Sequence, residues 1–453
     1  MKTILCTLWL ILSVAKTNGQ TFFKSFEGVI EADQNKVFVQ NDGFIITGFG
    51  FIQDKYQLYV MKVNLTGEIV WTKYHEITGY SGENYRCYSS AIDPEGNMYL
   101  GLLYSLIKLT PEGEIAYHNI SEATYFDLLW HESGELIASA QWQPSSHRIF
   151  RIDPSNCTII EQSTSIQGTN LIGTSLAIDD ENNIVLSLSE GFDYTAPAAS
   201  NLYVFQNLNL QSFDVIPLQY EESVVHRTTI WSDGSYVAVG HEGQYATTDN
   251  VSYLTRFQKD GSVSQENAAT FPYRFARLYK YVFNNQGNVV ALGEVQKNSE
   301  SNKQILLHCM SNEGDSIWTT FYGTSDITKP YDIRMAPDGG YVIAGTTDFN
   351  NTQVPCIIKT NSVGQLTPLG LEQKPVFEMV NVYPNPANGI LTFEAHGIDA
   401  GTIIISNVIG QKCLETKLNG IKTIVPTGDL KPGLYIYLIR TDKFTKTGKI
   451  QVQ

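Results

Sequence analysis

Histidines are the side chains in this sequence whose type most readily suggests catalysis or metal binding. Those that precede residue 379 are His75, His118, His131, His147, His226, His241 and His308. None belongs to an HExxH motif or to another close pair of ligands. In His131-Glu132 and His241-Glu242, neighbours on a strand would point to opposite faces. We therefore predict structural or solvent-exposed histidines, with no catalytic residue, no metal site and no cofactor.

Acidic residues cluster at apparent hairpin turns, as in the segment 179–183, Asp-Asp-Glu-Asn-Asn. An EF-hand loop needs alternating oxygen ligands and a glutamate at its twelfth position, and this pattern is missing. Turn formation explains these acids more simply, although weak calcium binding stays open. The sequence also contains no GxSxG elbow, no P-loop and no dinucleotide-binding fingerprint.

Tryptophans supply the other candidate binding groups. Those of the central region are Trp71, Trp130, Trp142, Trp231 and Trp318. Such rings can form a platform for carbohydrate, but in a repeat protein they more often fill the space between units. We favour packing for most of them.

A short unit recurs seven times along the chain and defines the elements that must carry any site. Each copy has a turn, an apolar strand and a second strand, as in the segment 338–345, Asp-Gly-Gly-Tyr-Val-Ile-Ala-Gly. Glycine or asparagine next to such a turn, between apolar runs, is a hairpin signal because the turn requires positive φ. The equivalent turn positions are Gly43, Gly96, Gly134, Asn182 (or Asn183), Gly234, Gly287 and Gly339.

These repeats predict an all-β fold, a seven-bladed β-propeller over residues 20–371, with six or eight blades as alternatives. The copies resemble the Asp-Gly-Gly-Tyr propeller repeats of secreted bacterial proteins, which implies a fold rather than an activity. The aromatic pair Trp318 and Phe321 lies on the last strand of one unit. Phe23 and Phe26 repeat this spacing at the N-terminus, whereas the seventh unit lacks the strand. We therefore predict that the N-terminal strand closes the ring as the outermost strand of the seventh blade.

The net charge of the chain and the spacing of its cysteines exclude some classes of function. The formal net charge is −15, whereas the segment from residue 379 carries eight Lys and Arg against five Asp and Glu. An acidic field over the rest of the chain repels phosphate, so we predict no nucleic-acid binding. The five cysteines after the N-terminal region show no metal-binding spacing, and we expect mostly free, buried thiols.

The N-terminus has the pattern of a secretory signal peptide. Lys2 precedes an apolar run over 4–14, and a polar segment with Thr17 and Gly19 follows it. We predict a signal peptide at 1–19 with cleavage before Gln20. No later segment is apolar over a length that spans a bilayer, about 20 residues, so we predict no transmembrane segment.

A linker over 372–378 leads into a different unit at 379–453. Its motifs are a Tyr-Pro-Asn-Pro opening, an Asn-Val-Ile-Gly-Gln turn, a Pro-Gly-Leu-Tyr strand and a lysine-rich final strand, and we select Tyr383, Pro384, Asn385, Pro386, Gly410, Pro432, Gly433, Tyr435 and Lys449. Together they closely resemble the type A C-terminal sorting domain of the bacterial type IX (Por) secretion system. That resemblance implies a small C-terminal β-sandwich that engages the type IX translocon.

The sequence therefore predicts an exported protein, extracellular or on the outer-membrane surface. For the propeller we expect a binding or adhesion module for an unknown ligand, glycan or protein. Two alternatives remain: a polysaccharide hydrolase or lyase with carboxylates at the channel mouth, and a structural surface component. Whether it is an enzyme stays uncertain, with a non-enzyme favoured.

Overall fold

A computed structural model describes most of the chain from residue 20 onward. The described residues are 20–77, 86–143, 146–168, 172–190, 199–218, 223–231, 234–242, 251–260, 262–267, 275–296, 303–311, 315–323, 328–349, 352–366, 380–395, 400–407, 411–420, 422–440 and 445–453. The predicted signal peptide and linker lie outside these residues. The chain divides into two compact units, Met1–Leu369 and Gly370–Gln453.

The described part of the first unit forms seven antiparallel sheets of four main strands each. The first sheet contains β2 (Ile30–Gln40), β3 (Gly43–Ile52), β4 (Lys55–Asn64) and β5 (Ile69–His75). The second contains β6 (Cys87–Ile92), β7 (Met98–Leu102), β8 (Ser105–Leu109) and β9 (Ile115–Ile120). The third contains β10 (Thr124–Trp130), β11 (Leu136–Gln143), β12 (Ser146–Asp153) and β13 (Thr158–Gln162), with the short β14 (Ile166–Gln167) beside β12.

The remaining four sheets repeat this order. The fourth contains β15 (Ile172–Ile178), β16 (Ile184–Glu190), β17 (Ala199–Phe205) and β18 (Asp214–Pro217), with a 3₁₀ turn at Gln206–Leu208. The fifth contains β19 (Ser223–Ile230), β20 (Tyr236–Glu242), β21 (Val251–Phe257) and β22 (Val263–Asn267). The sixth contains β23 (Phe275–Phe283), β24 (Val289–Gln296), β25 (Gln304–Met310) and β26 (Ser316–Tyr322). The seventh contains β27 (Thr328–Met335), β28 (Tyr341–Phe349), β29 (Thr352–Lys359) and β1 (Phe22–Ser25).

The sheets are arranged in a closed ring, as in a β-propeller. The first strand of each sheet contacts the first strand of the next, and β27 of the seventh sheet contacts β2 of the first. An apolar cluster also fills each of the seven interfaces between neighbouring sheets. The strands β2, β6, β10, β15, β19, β23 and β27 therefore form the inner wall of the ring. This arrangement confirms the predicted propeller fold.

Burial on both faces explains why the second strand of each repeat is almost wholly apolar. In β28, Tyr341 and Ile343 enter the interface with the sixth sheet, while Val342 and Ala344 enter the interface with the first. Successive side chains of a strand point to opposite faces. Each such strand therefore contributes to two interfaces and has no face that must be polar.

Ring closure by the N-terminal strand is confirmed, with a register that differs by one residue from the expected one. Strand β1 pairs antiparallel with β29, and Phe22 lies opposite Lys359. Phe22, rather than Phe23, takes the place of Trp318, because Phe22 packs on Gly67 of the next sheet as Trp318 packs on Gly364. The spacing of the aromatic pair favoured Phe23 with Phe26, but the adjacent Phe22 is the ring that packs into the interface with the next sheet.

Six of the seven turn positions have the same geometry. Gly96, Gly134, Asn182, Gly234, Gly287 and Gly339 have φ between 61° and 87°. The first repeat differs: Gly43 lies in β3 at φ 159° and pairs with Gln40 across a two-residue turn. A Cβ at Gly43 would meet the Val63 carbonyl oxygen at 2.1 Å, so this position requires glycine for space.

The second unit is a small β-sandwich. One sheet has β33 (Lys412–Asn419), β32 (Ala400–Asn407), β35 (Gly433–Arg440) and β36 (Thr445–Val452), and the other has β30 (Val380–Asn388), β31 (Ile390–Ala395) and β34 (Lys422–Pro426). Both sheets contribute to one core, in which the Phe393 and Tyr437 ring centroids are 5.3 Å apart. The sheets join through a parallel pairing of Ala387 with Val452.

The cysteines and the membrane prediction can be examined directly. The five described cysteines are free: Cys87, Cys157, Cys309 and Cys356 are buried and Cys413 is exposed, as expected. Among the described residues, no helix has the length and apolar character needed to cross a membrane.

Candidate functional site in the central channel

A β-bulge at one level of every inner strand shapes the channel wall. In β6 the bulge lies between Cys87 and Ser89, and in β27 between Pro330 and Asp332. The other inner strands have a bulge or register shift at the matching level. A bulge adds one residue and turns the following side chains to the other face. The residue after each bulge therefore points where simple alternation would not place it.

Polar residues occupy the position after the bulge in all seven repeats. These are Lys36, Ser89, Asp127, Ser175, Arg227, Lys280 and Asp332, each seven residues before the turn position of its repeat. These residues were not among the predicted site residues, although their constant offset from the turn is a signal in the sequence that could have identified them.

Several of these side chains bridge to the inner strand of the following sheet. Ser89 Oγ donates to the Tyr125 carbonyl oxygen at 2.9 Å, and Ser175 Oγ donates to the Thr228 carbonyl oxygen at 3.2 Å. Asp127 accepts the Leu176 N–H at 2.8 Å. We call this set of contacts the inner latch. It links neighbouring sheets close to the channel by hydrogen bonds whose partners are buried, where an unpaired group would be costly.

Between the sixth, seventh and first sheets, the inner latch includes ion pairs. Asp332, which is fully buried, accepts the Val37 N–H at 3.1 Å, and its other oxygen lies 2.5 Å from Lys280 Nζ. Arg334 Nη2 lies 3.5 Å from the same carboxylate. Lys36 Nζ donates to the Tyr88 carbonyl oxygen at 3.0 Å. Burial alone would raise the pKa of Asp332, but the three cations outweigh it and hold that pKa below its ordinary value.

A cavity of about 380 Å³ opens within the channel, in the range of small-molecule sites. Its wall combines hydroxyl groups, aliphatic side chains and cations from six inner strands. Representative lining residues are Ser90, Leu129, Ile178, Thr229, Lys280 and Arg334. Because each comes from a different strand, the cavity belongs to the assembled ring rather than to any one repeat.

Aromatic residues at the bulges precede the lining residues on the same strands. Tyr88 and Phe126 are half-buried and pack edge to face at 5.5 Å, and the Phe126 ring stacks on His147 at 6.1 Å. Tyr331 occupies the bulge of β27, and burial together with the Asp33 carboxylate raises its pKa. These aromatics lie at inner-strand positions that the sequence analysis left out.

Where described, the histidines have structural surroundings. His147 is fully buried, its Nε2 lies 2.7 Å from Ser139 Oγ, and burial lowers its pKa to about 3. Burial also lowers the pKa of His308 to about 4. Among the described residues, no group of three or more His, Cys, Asp or Glu side chains could hold a metal ion.

The acidic turn and the tryptophans also act in folding. Asp179 accepts the backbone N–H groups of Glu181 and Asn183, both at 2.9 Å, so it stabilises a hairpin turn. All five selected tryptophans pack at interfaces between sheets, in the clusters that contain Met98, Leu136, Val289 and Tyr341. The predicted packing role of these rings is confirmed.

In the tail, the opening motif is joined to the final strand. Asn385 Nδ2 donates to the Lys449 carbonyl oxygen at 3.1 Å, and Asn385 Oδ1 accepts the Gln451 N–H at 2.9 Å. Tyr383 donates from its hydroxyl to Glu394 at 2.9 Å. The two motifs therefore form one surface although they are distant in sequence.

The other selected tail residues have separate positions. Pro384 and Pro386 follow cis peptide bonds in the opening segment. Pro432 and Gly433 lead into β35, where the Tyr435 hydroxyl donates to the Lys431 carbonyl oxygen at 2.9 Å. Gly410 lies outside the described residues.

Comparison with known proteins decides the nature of the tail. Residues 381–453 match the family model described as the secretion system C-terminal sorting domain. The tail is a type IX secretion sorting domain. It marks the protein for export to the cell surface or the extracellular space through the type IX machinery. No curated protein matches the sequence of the chain.

Solved structures resemble this chain only in the course of the backbone, with low sequence identity. BamB from Moraxella catarrhalis has 11% identity and a TM-score of 0.41, over 75% of this chain and 99% of BamB. PorZ, an essential surface component of the type IX secretion system of Porphyromonas gingivalis, has 10% identity and a TM-score of 0.39, over 92% and 70%. BBS1N in complex with ARL6DN has 8% identity and a TM-score of 0.47, over 76% and 97%. At these identities and TM-scores, the activities of the solved proteins say nothing about the activity of this chain.

Proposed function

We propose that this protein is a secreted, surface-located binding module whose propeller takes a glycan into its central channel. The observation that carries the proposal is the cavity of about 380 Å³, whose wall mixes hydroxyl, aliphatic and cationic groups. Sugars present both polar hydroxyls and apolar C–H faces, so a wall of this mixed character suits them.

The carboxylates of the channel favour binding over hydrolysis. A glycosidase needs one carboxylic acid that is protonated near neutral pH, and burial usually supplies this by raising its pKa. Asp332 has the opposite character, because three cations hold its pKa low. Asp127 is engaged by the Leu176 N–H. Both carboxylates therefore serve the inner latch.

A glycan array tests the proposal directly. The exported chain, residues 20–453, is applied to the array, and hits are then assayed for released reducing ends. We expect binding without turnover, and we expect excess soluble hit saccharide to raise the melting temperature of the propeller. Turnover would support the hydrolase or lyase alternative, and silence on the array would support a protein ligand or a structural role.

A further inference from the structure

The cationic side chains of the channel are more exposed than the carboxylates. The Arg334 side chain is 34% exposed and the Lys280 side chain 12% exposed, whereas the Asp332 side chain beneath them is fully buried. Asp127, the carboxylate that lines the cavity, is 5% exposed. A ligand in the cavity therefore meets Lys280, Arg334 and the little-exposed Asp127, while the Asp332 carboxylate that pairs with the two cations is not exposed.

This local sign is the reverse of that of the whole protein. The chain carries a formal net charge of −15, yet the residues that line the cavity include two cations, Lys280 and Arg334, and one carboxylate, Asp127. Ions in solution screen surface charges beyond about 8 Å at physiological salt. The charges that line the cavity therefore contribute more to the field inside it than the distant acidic surface does.

Arg334 has the geometry to receive an oxyanion. Its Nη2 donates to Ser90 Oγ at 3.1 Å and lies 3.5 Å from Asp332, so two neighbours hold this end of the guanidinium. Among the described residues these contacts use only Nη2, and a guanidinium has five N–H donors in a fork that matches a carboxylate. The remaining donors lie on a side chain that is partly open to the cavity.

Building on the proposed function, we propose that the channel selects saccharides that carry a carboxylate, such as uronates or sialylated chains, and that Arg334 binds this carboxylate. Ser90 and Thr229 supply hydroxyl groups beside the cation, and Leu129 and Ile178 supply apolar surface for the sugar ring. Arg334 then sets specificity, because a neutral saccharide leaves its charge without an anionic partner from the ligand.

The test uses pairs of saccharides that differ in one carboxylate. Calorimetry on residues 20–453 compares glucuronate with glucose, galacturonate with galactose, and a sialylated oligosaccharide with its asialo form. We expect at least one carboxylated member to bind at least about tenfold more tightly than its neutral partner, the effect of one charge-assisted contact. Raising the salt to about 0.5 M should weaken that binding, because a charged contact is screened.

Two matched variants locate the contact. Arg334→Gln should lose at least about tenfold in affinity for the carboxylated member and keep its affinity for the neutral one. Arg151→Gln is the control: Arg151 is 27% exposed, pairs with Glu135 and Glu161 on the third sheet, and is not an inner-strand residue. It should bind like the unmodified protein.

Three results would overturn the inference. Equal affinity for neutral and carboxylated members would refute charge selection and leave glycan binding standing. Unchanged binding by a folded Arg334→Gln variant would remove Arg334 from the site. Failure of every saccharide to bind would refute this inference and the proposed function together. If Arg334→Gln does not fold, the paired affinities and the salt dependence of the unmodified protein decide alone.

Discussion

Replacing Asp332 by asparagine would remove the carboxylate on which the ionic part of the inner latch converges. The side chain is fully buried, lies 2.5 Å from Lys280 Nζ and accepts the Val37 N–H. Asparagine can keep a hydrogen bond to Val37 but removes the negative charge that lies 2.5 Å from Lys280 Nζ. Removing one partner of such a pair costs about 3–5 kcal/mol.

This cost converts into a measurable change in melting temperature. Unfolding entropy near 60 °C is about 2.1 cal/mol/K per residue, so a unit of roughly 350 residues loses about 4–7 °C for that penalty. Asp42→Asn is the matched control, because the Asp42 side chain is 70% exposed and pairs with Lys62 at 2.7 Å. Such surface pairs are worth about 1 kcal/mol at most, and the control should shift by about 1 °C.

Differential scanning calorimetry on residues 20–453 measures both variants. A second change, Lys280→Met in the Asp332→Asn background, removes the positive charge that faced Asp332 and should restore part of the loss. Equal melting temperatures for Asp332→Asn and Asp42→Asn would refute the assignment of Asp332 as a buried ionic latch. Failure of the double variant to recover would place the cost elsewhere than in Lys280.

Three further predictions concern other parts of the molecule. Because burial lowers the pKa of His147 to about 3, the unfolded chain binds a proton there below its ordinary pKa of about 6.5. Unfolding free energy should therefore fall by about 2 kcal/mol between pH 7 and pH 5, and His147→Gln should flatten that dependence in urea titrations. Phe22→Ala should cost about 3–5 kcal/mol and Phe23→Ala clearly less, since Phe22 is 2% exposed; equal costs in thermal melts would contradict the observed register of β1. A Cβ at Gly448 would lie 2.4 Å from a tyrosine ring, whereas Gly428 has open space; Gly448→Ala should therefore reduce the secreted fraction of the protein in a type IX host, and Gly428→Ala should not.

The fold and the sorting domain could be predicted from the sequence because both are marked by local sequence patterns. A turn residue with positive φ and an apolar run make each repeat visible, and Asn182 fits the turn at φ 61° as the glycines do. The tail motifs are contiguous in the chain. Ring closure was also predictable, because the seventh repeat lacks a strand that the N-terminus supplies.

The residues of the candidate site were not predicted from the sequence, because a β-bulge in each inner strand changes which side chains face the channel. Counting alternate positions along β27 from Pro330 would give Asp332 the same face as Pro330, whereas the extra residue Tyr331 resets that alternation. The meeting of Lys280 with Asp332 depends further on the order of sheets around the ring. Neither bulges nor ring order leave a local signature beyond the constant offset from the turn.

Because the first strand pairs with β29, the ring can close only in a chain that contains both ends of the propeller sequence. Phe22 and its partner Lys359 stand at opposite ends of the propeller sequence, so no shorter product can form this contact. A pairing between residues so distant in the chain requires that a large loop-closure entropy be overcome. A prematurely ended chain would keep the apolar surface of an unclosed interface exposed to proteases and chaperones. Closure of the ring therefore requires both ends of the propeller sequence in one chain.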